Sequence, residues 1–288
     1  MTEILMSQSA NAATPRDRTI ERLQSMESKR KSSRRRRFIS VQVSRIALLV
    51  IFLGAWQLLA DNGKIDQLFF SRPSAIWDFL TQQFRSGDIW PDAEVTLRTM
   101  AEAFALGSIL GVGAAMFRAL WPFASDVLDP FITLLNALPR VALAPMFIIW
   151  FGIGESSKVY LAVTLVFFIV LLSTEAGLRG VDEEHMRAVR AMSASKWTVF
   201  FKVQLPSAVP GIFGGLRLAV VYSLLGIVFG EMMAAQAGLG HALQYNASTF
   251  QTQGVMAYLA ILALLALALN SLVVLLEKWF LRWQVEGR

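Results

Sequence analysis

The side chains of this chain that could take part in chemistry are charged groups, because the usual catalytic and metal-binding residue types are scarce. The sequence has no cysteine, which excludes disulfides, thiolate metal sites and a cysteine nucleophile. Its two histidines, His185 and His241, lie far apart in sequence, and no phosphate-binding Walker motif is present. We therefore expect no catalytic residue, no metal site and no cofactor bound by this chain, so any ATP it uses must be bound by another chain.

The most unusual charged segment, residues 180–206, lies between two of the most apolar stretches of the chain. Its apolar residues recur at near-helical spacing, and three acids lie at its start, where the helix dipole favours them. A second short helix is predicted for residues 196–204. Pro206 lacks an N–H group and disfavours helix at Leu205, which predicts a turn into the next apolar stretch. An ordinary solvated loop is the alternative, although a structureless loop of this length is uncommon. The apolar residues are Met186, Val189, Met192 and Trp197, and the cations are Arg187, Arg190, Lys196 and Lys202.

The elements that position this segment are predicted to be membrane helices. The chain is 55% hydrophobic and 17% charged, whereas about a quarter of the residues in a soluble domain are charged. The apolar residues form blocks that are long enough to cross about 30 Å of hydrocarbon as helices. Pro139 and Pro145 are expected to kink the third block. The predicted fold class is an all-α membrane protein with six transmembrane helices, near residues 44–60, 99–117, 127–151, 158–173, 210–233 and 255–280.

The net charge of +6 comes from the start of the chain, since residues 1–38 carry ten Lys or Arg and four Asp or Glu. Clustered arginine can bind nucleic acid, but a basic run just before an apolar block is typical of a cytoplasmic anchor beside anionic lipid headgroups. We therefore expect residues 1–40 to be a disordered cytoplasmic tail, residues 41–288 to be the membrane domain, and no nucleic-acid partner. With six helices both termini are cytoplasmic, and residues 61–95 and 234–254 lie outside.

Small residues are concentrated in the second and fifth blocks, where we expect helices to pack closely. Lipid gives no hydrophobic drive for helices to associate, so close approach of their backbones is what allows packing. No strand precedes these glycines and no Lys-Ser/Thr follows them, which excludes a phosphate-binding loop. Between the first two blocks, residues 76–84 are expected to form a short amphipathic helix. The small residues are Gly107, Gly111, Gly113, Ala114 and Ala115 in the second block and Gly211, Gly214 and Gly215 in the fifth.

Polar residues at membrane depth are candidates for a transport role. The candidate pathway residues are Arg140, Ser223 and Glu231. Arg140 follows Pro139 at a predicted break, where it could attract an anion or instead pair with a glutamate or backbone carbonyls. Glu231 ends the fifth block and could line a gate.

Two other charges near the cytoplasmic side are expected to have structural roles. Arg217 is expected to extend to the membrane interface or to dock on the segment of residues 180–206. Glu175 is expected to pair with Arg179, four residues further on.

The segment of residues 180–206 resembles the cytoplasmic coupling loop of binding-protein-dependent ABC importer permeases. That loop follows the pattern Glu-Ala-Ala, three residues, Gly, nine residues, Ile, one residue, Leu-Pro. In the register set by "VQLP", Leu205 and Pro206 match and Val203 replaces the isoleucine. Ser193 then stands at the glycine, and "RAV", residues 187–189, stands at Glu-Ala-Ala.

Other stretches resemble the nitrate, sulfonate, taurine and bicarbonate branch of that family, and the resemblance covers residues 44–283 in all. It includes "FFSRPSAIWDFL" after the first block, "ALPRVALAPMFIIWFGIGESSKVYL" in the third block and the turn after it, and "GEMMAAQAGLGHAL" at the end of the fifth. The fold that this resemblance implies is the type I ABC importer permease fold.

The resemblance implies a transporter subunit that does no covalent chemistry. Two permease subunits, as a homodimer, would form the pathway, and two ATPase subunits holding ATP and Mg²⁺ would each receive the loop as a coupling helix. An external binding protein would deliver the solute, and the permease would lie in the inner membrane of a bacterium. The residues implied in coupling are Arg187, Ala188, Val189, Met192, Ser193, Ala194, Trp197, Val203, Leu205 and Pro206.

The branch implies a small anion such as nitrate, a sulfonate or taurine as the solute. Within the family, the alternative is a thiamine-precursor pyrimidine or another small organic solute. A stand-alone channel or secondary transporter would need coupling charges at the middle of the membrane, whereas the charges of this chain lie mostly near the ends of the blocks. A non-transporting membrane scaffold gives no reason for a helical loop that ends in Leu-Pro.

Overall fold

A computed structural model describes the chain at residues 15–181 and 183–280, and within these ranges it leaves some side chains undescribed. No strand occurs among the described residues, as the all-α prediction requires. The chain divides into two units, Met1–Ile65 and Asp66–Arg288. The undescribed side chains are those of residues 15–36 and of Phe38, Glu183, His185, Ala188 and Arg190.

The first unit contains a single long helix, α1 (Pro15–Asp61). Its last part, Ile39–Asp61, is apolar and long enough to cross a membrane. The expectation of a disordered tail over residues 1–40 differs from the structure at residues 15–40, which are helical, and residues 1–14 lie outside the described residues. The reason is local, because residues 16–38 contain no glycine or proline and ten of them are Arg or Lys, which favour helix.

The second unit contains every other described helix. It begins with two short helices, and α3 confirms the predicted amphipathic helix at residues 76–84. Its proline starts the helix where no N–H group is needed, and Gly87, with a φ of 82°, ends it. The bounds are α2 (Gln67–Phe70), α3 (Pro73–Ser86), α4 (Ile89–Leu120), α5 (Pro122–Ala137), α6 (Ala144–Phe151), α7 (Glu155–Arg179), α8 (Glu183–Ala191), α9 (Lys196–Val199), α10 (Leu205–Ala234), α11 (Leu239–Ser248) and α12 (Thr252–Phe280).

Helix α7 is the centre of the second unit and packs between α4 and α10. A Cβ atom at Gly107 of α4 would lie 2.7 Å from the Val166 Cβ, and one at Gly215 of α10 would lie 2.6 Å from the Ser173 Cβ. The predicted close packing of the second and fifth blocks is therefore confirmed, since these backbones lie too close for a larger side chain. Gly111 and Gly211 pack on α7 in the same way, whereas Gly113 and Gly214 have open space around them.

The third predicted span is two helices rather than one kinked helix. Helix α5 ends at Ala137, and after a break the chain turns by 82° into a short 3-10 turn and α6. Leu138 is extended (φ −66°, ψ 135°) because the ring of Pro139 disfavours helix at the residue before it. Pro145 lies in the first turn of α6, where a proline is tolerated, so it causes no kink there.

Among the described residues, five helical stretches are long and apolar enough to cross a membrane, and the bent pair α5–α6 supplies a sixth if it counts as one span. The six predicted blocks therefore correspond to five continuous spans and one broken span.

Candidate coupling surface and the polar network at the opposite end

The segment of residues 180–206, called the insert from here on, is helical along most of its length. Helix α8 is followed by a linker of four residues and then by α9, whose first N–H groups are capped by Ser195. The Ser195 Oγ accepts a hydrogen bond from the Thr198 N–H at 3.2 Å. The predicted second helix at residues 196–204 is confirmed, since α9 continues into a π-helical turn over Phe200–Gln204.

The expected turn at Leu205 is wrong, because the helix passes through Pro206 without a break. Leu205 has helical angles (φ −63°, ψ −47°), and its N–H donates to the carbonyl of Phe200, five residues back. A proline in an α-helix lacks a donor and clashes with the carbonyl four residues earlier. The wider π turn just before Pro206 accommodates the ring. As a result, residues Lys196–Ala234 form one continuous helical stretch from the insert into the membrane.

Ser193 lies in the linker after α8 and has a φ of +55°. This is the left-handed conformation that commonly terminates a helix and that glycine adopts at no steric cost. The family pattern that the insert resembles has glycine at this position. The backbone of this chain therefore adopts, at a serine, a conformation that suits glycine better.

The insert is anchored by two apolar residues that the sequence analysis did not single out. Val199 and Phe200 are buried, and Phe200 packs with Leu178 of α7 and Ala208 of α10. The sequence signal for them was the apolar run "TVFF" just before the Leu-Pro. Because these two side chains fix α9 on the membrane helices, α8 and the linker remain as the accessible part of the insert.

The predicted coupling residues are mostly accessible at the surface of the insert. Met192 is 76% exposed and Trp197 55% exposed. The Trp197 ring also meets Trp121 edge-on, with ring centroids 6.2 Å apart, so part of it packs on its own chain. The side chain of Ala188 lies outside the described residues. Arg187 and Ser193 are exposed, and Val189, Ala194, Val203, Leu205 and Pro206 are half-buried.

An ion-pair network around the buried Arg118 lies beside the insert. The Arg118 guanidinium is almost fully buried and lies 2.6 Å from an Asp129 carboxylate oxygen and 2.7 Å from a Glu175 carboxylate oxygen. Glu175 thus pairs with Arg118 of α4 rather than with Arg179, the partner expected from spacing within one helix. The network ties α4, α5 and α7 together at the end of the bundle nearest the insert. Between it and α8 lies a cavity of about 740 Å³, lined in part by Met186, Arg187 and Gln204.

A second polar network lies at the opposite end of the bundle, where α10 meets the loop to α11. Glu231 is only 1% exposed, and both of its carboxylate oxygens lie 3.0 Å from the Thr96 hydroxyl of α4. One of them also accepts a hydrogen bond from the Gly240 N–H at 2.9 Å. The Thr96 hydroxyl accepts from the Leu239 N–H at 2.9 Å. Helices α4, α10 and α11 are therefore joined through one buried carboxylate.

The glycines around Glu231 are required by this contact. Gly238 has a φ of +119°, and its N–H donates to an Asp92 carboxylate oxygen at 2.7 Å. A Cβ atom at Gly240 would lie 2.8 Å from the Glu231 Cβ. The "GLG" of the sequence is thus the backbone surface on which the carboxylate of Glu231 rests. We call this set, Asp92, Thr96, Glu231, Gly238 and Gly240, the buried latch.

Comparison with known proteins identifies the family. Residues 107–284, which include the insert and the latch glycines, match the family described as the inner membrane component of binding-protein-dependent transport systems. The chain belongs to this family. It is a permease subunit of an ABC importer, and it acts as a transport component. Permeases of this family work with an ATPase and a substrate-binding protein.

Two relatives illustrate the similarity of this chain to other transport permeases. The taurine transport system permease protein TauC of Escherichia coli (strain K12) is 30% identical over 84% of this chain and 90% of its own length. SsuC of Bacillus subtilis (strain 168), named as an aliphatic sulfonates transport permease, is 29% identical over 83% of this chain and 87% of its own.

A solved structure agrees in fold. The chain in the crystal structure of an amino acid ABC transporter with histidines superposes with a TM-score of 0.60 at 17% identity, covering 69% of this chain and 97% of that one. This supports the type I ABC importer permease fold, with six membrane spans when the bent pair is counted as one.

The predicted pathway residues of the permease are not brought together in one site. The Arg140 guanidinium donates to the backbone carbonyl of Asn136 at 2.9 Å and lies 4.4 Å from the centroid of the Phe168 ring, so it pairs with backbone as one alternative held. Ser223 is fully buried, and its hydroxyl donates to the Val220 carbonyl of its own helix at 2.9 Å. Glu231 is enclosed in the buried latch.

Arg217 also differs from its expected role. It forms an ion pair with Glu277 of α12, so it is engaged between two membrane helices instead of docking on the insert. The apolar surroundings explain the partner, because a charge at this depth is stabilised by a nearby opposite charge.

Proposed function

We propose that this permease imports a small organic anion, with an organic sulfonate as the first candidate, and that the insert couples it to an ATPase. The observation that carries the coupling proposal is the unbroken helical stretch Lys196–Ala234. It spans 39 residues, which is about 58 Å at 1.5 Å per residue. One rigid element thus runs from the insert to the buried latch, so a displacement at α9 moves the Glu231 end as well.

The proposed docking surface is α8 with the linker that follows it. Met192 offers an apolar side chain to a groove, and Arg187, exposed on α8, is a cation that can orient an approaching partner. Interfaces gain most of their energy from buried apolar anchors, whereas charges at the rim contribute mainly to orientation. In the assembled transporter, two copies of the permease, as a homodimer, would dock on two ATPase subunits that hold ATP and Mg²⁺.

The proposed orientation places the insert and both chain termini in the cytoplasm of a bacterial cell. The positive charges support this, because Lys and Arg are retained on the cytoplasmic side and the N-terminal residues and the insert are rich in both. The latch and α11 then face outward, where an external binding protein would deliver the solute.

Cysteine labelling tests the orientation directly, since the native chain has no cysteine. With an impermeant thiol reagent on whole cells, Ser86→Cys is expected to react and Met192→Cys to react only after the cells are opened. Met192 is suitable because it is exposed and makes no capping contact. The opposite pattern would overturn the proposed orientation.

The solute is proposed from the names of the two relatives, TauC and SsuC, and uptake measurements test it. Cells that express the permease with its ATPase and binding protein are given labelled taurine, ethanesulfonate, nitrate or a thiamine-precursor pyrimidine in separate arms. Uptake of a sulfonate that stops when the insert is disrupted supports the proposal. Uptake of the pyrimidine alone would show that the solute is the pyrimidine instead of a sulfonate, and it would leave the coupling proposal intact.

A further inference from the structure

A buried lysine at the end of the bundle opposite the insert has no partner of its own. Lys158 lies in the first turn of α7 and is 4% exposed. Within residues 15–181 and 183–280, its ammonium forms no hydrogen bond or ion pair. Burying a charge without a partner is costly, so a cation held in this way indicates a ligand that supplies the opposite charge.

The side chain of Lys158 packs against a glycine of α10, Gly230. A Cβ atom at Gly230 would lie 2.9 Å from the Lys158 Cγ and 3.1 Å from its Cβ. The aliphatic part of the lysine therefore crosses the backbone of α10, and only a glycine leaves the space for it. This fixes the direction of the side chain between α7 and α10.

Glu231 is an acid within electrostatic reach of Lys158, but it does not act as its ion-pair partner. Its carboxylate is already held by the Thr96 hydroxyl and the Gly240 N–H. The attraction from Glu231 lowers the cost of burying the ammonium without using its hydrogen-bonding capacity. The three N–H donors of Lys158 remain available to another group.

Lys158 lines a cavity of about 220 Å³ between the start of α7 and the loop after α10. Gly154 and Glu155 contribute one side of it, and Ala235 and Ala237 contribute the other. The N-terminus of α7 has no side-chain cap, so its first N–H groups also lack a partner within the helix. These groups and the helix dipole favour a negative charge at this point.

The acid at the rim of the cavity does not cancel this preference. Glu155 is paired with Arg98 of α4, and both side chains are about half exposed. Since Arg98 neutralises Glu155, the charge of the cavity lining that is left without an ion-pair partner is that of Lys158. The volume lies below the roughly 300–1,000 Å³ of sites for drug-sized ligands, which restricts the occupant to a small molecule.

We propose that this cavity is an anion subsite in which Lys158 and the N-terminus of α7 receive the acidic oxygens of a small solute, a sulfonate group being the best match. The proposal deepens the proposed function and depends on it for the identity of the solute and for the orientation of the permease in the membrane. On this assignment Lys158 is a binding residue of the permease at its outer end, before the solute enters the path between the helices.

Charged thiol reagents measure the preference of the cavity without any transport. Ala237→Cys places a single thiol in the lining of the full-length permease, which has no native cysteine. In opened membranes, its modification rate with anionic 2-sulfonatoethyl methanethiosulfonate is divided by the rate with the cationic trimethylammonium analogue. The same ratio at Gln244→Cys, exposed on α11 outside the cavity, is the reference.

The ratio at Ala237→Cys is expected to exceed the reference and to fall roughly tenfold when Lys158→Gln is added, because a charged cleft concentrates ions of opposite sign. Lys158→Arg should retain the ratio. Arg85→Gln removes one exposed cation from α3 and should leave the ratio unchanged. An anionic preference that is absent, or that survives Lys158→Gln, overturns the subsite.

A protection experiment keeps the proposal testable if Lys158→Gln does not fold. In the Ala237→Cys variant that retains Lys158, ethanesulfonate is expected to slow modification of the thiol by neutral methyl methanethiosulfonate, whereas ethanolamine has no effect. Protection by dihexanoylphosphatidylglycerol alone would assign the cavity to a lipid headgroup and overturn a solute site. If the subsite binds ethanesulfonate but cells take up no sulfonate, the proposed function fails while the subsite stands.

Discussion

The hydroxyl of Thr96 lies 3.0 Å from both carboxylate oxygens of Glu231, although the two residues are 135 positions apart in the chain. The same hydroxyl accepts from the N–H of Leu239. One small side chain of α4 therefore joins the end of α10 to the start of α11. Since α10 continues to the insert, this contact lies at one end of the element that we propose transmits motion across the membrane.

Removing the Thr96 hydroxyl should weaken the latch. We expect Thr96→Val to destabilise the permease by about 2 kcal/mol, because the buried carboxylate of Glu231 loses a charged hydrogen bond. Valine has nearly the same volume as threonine, so packing is unchanged. Thr99→Val is the matched control, since Thr99 is fully buried on the same helix but bonds only to carbonyls of its own helix. The measurement is the thermal unfolding of both variants in detergent, and an equal loss in both would refute the role of the latch.

Relief of backbone strain at Ser193 should stabilise the insert. Ser193→Gly is expected to gain about 1 kcal/mol, because a non-glycine residue with positive φ is strained by roughly this amount or more. Ser195→Gly serves as the control, since Ser195 has a φ of −64° and caps α9, so glycine there should give no gain. Hydrogen exchange of α8 and α9 reports the difference. Faster exchange in Ser193→Gly than in the native chain would contradict this prediction.

The ion pairs of Arg118 and the ion pair of Arg98, both residues of α4, should differ strongly in how much they stabilise the fold. Arg118→Gln is expected to cost about 3 kcal/mol, because it leaves the Glu175 carboxylate, which is 14% exposed, without its buried partner. Arg98→Gln removes a cation from an exposed pair with Glu155 and should cost no more than about 1 kcal/mol. Thermal unfolding of the two variants decides between them. Equal costs would mean that the burial of Arg118 is not what makes its contacts important.

A charge on α8 should interfere with docking of the ATPase. Ala188→Asp is expected to weaken co-purification of the ATPase at least tenfold, because an unpaired carboxylate at an interface costs several kcal/mol and about 1.4 kcal/mol is a factor of ten. Lys196→Ala removes an exposed cation next to the linker and should have little effect. Uptake is measured in the same cells. Full ATPase association and transport by Ala188→Asp would show that the insert is not the coupling element.

Arg187→Glu should also weaken docking, although it restores the glutamate that the family pattern has at this position. The substitution places an acid where this permease has a cation at the proposed docking surface. We expect it to weaken association with the native ATPase, since a partner that accommodates Arg187 would meet the opposite charge.

The sequence by itself determined the class of the protein and the position of its membrane helices. A long apolar block is stable in lipid as an α-helix, because the helix pairs the backbone N–H and C=O groups of the segment with one another where no water is present. The same local reasoning placed α3 and the two helices of the insert. Gly107, Gly111, Gly211 and Gly215 were also predicted correctly as contact positions, because small residues are what allows helices to approach in lipid.

Predictions from residue type failed where the effect of a proline depends on the backbone of the neighbouring turns. Pro206 was expected to interrupt the helix, but the π turn before it supplies the room that an α-helix lacks. Pro139 was expected to kink a span and instead separates two helices at 82°. In both cases the outcome depends on whether neighbouring turns can rearrange, and a residue type does not specify that.

Only the tertiary structure decided which charges meet. Glu175 pairs with Arg118 of another helix, although spacing along α7 predicted Arg179 as its partner. Arg217 pairs with Glu277 of another helix, although it was expected to extend to the membrane interface or to dock on the insert. Likewise, Lys158 and Gly230 are unremarkable 72 positions apart in the sequence, and they become one feature only because α7 and α10 cross there. The physical reason is that ion pairs and cavities depend on how helices are rotated and crossed, and packing of the whole bundle sets both.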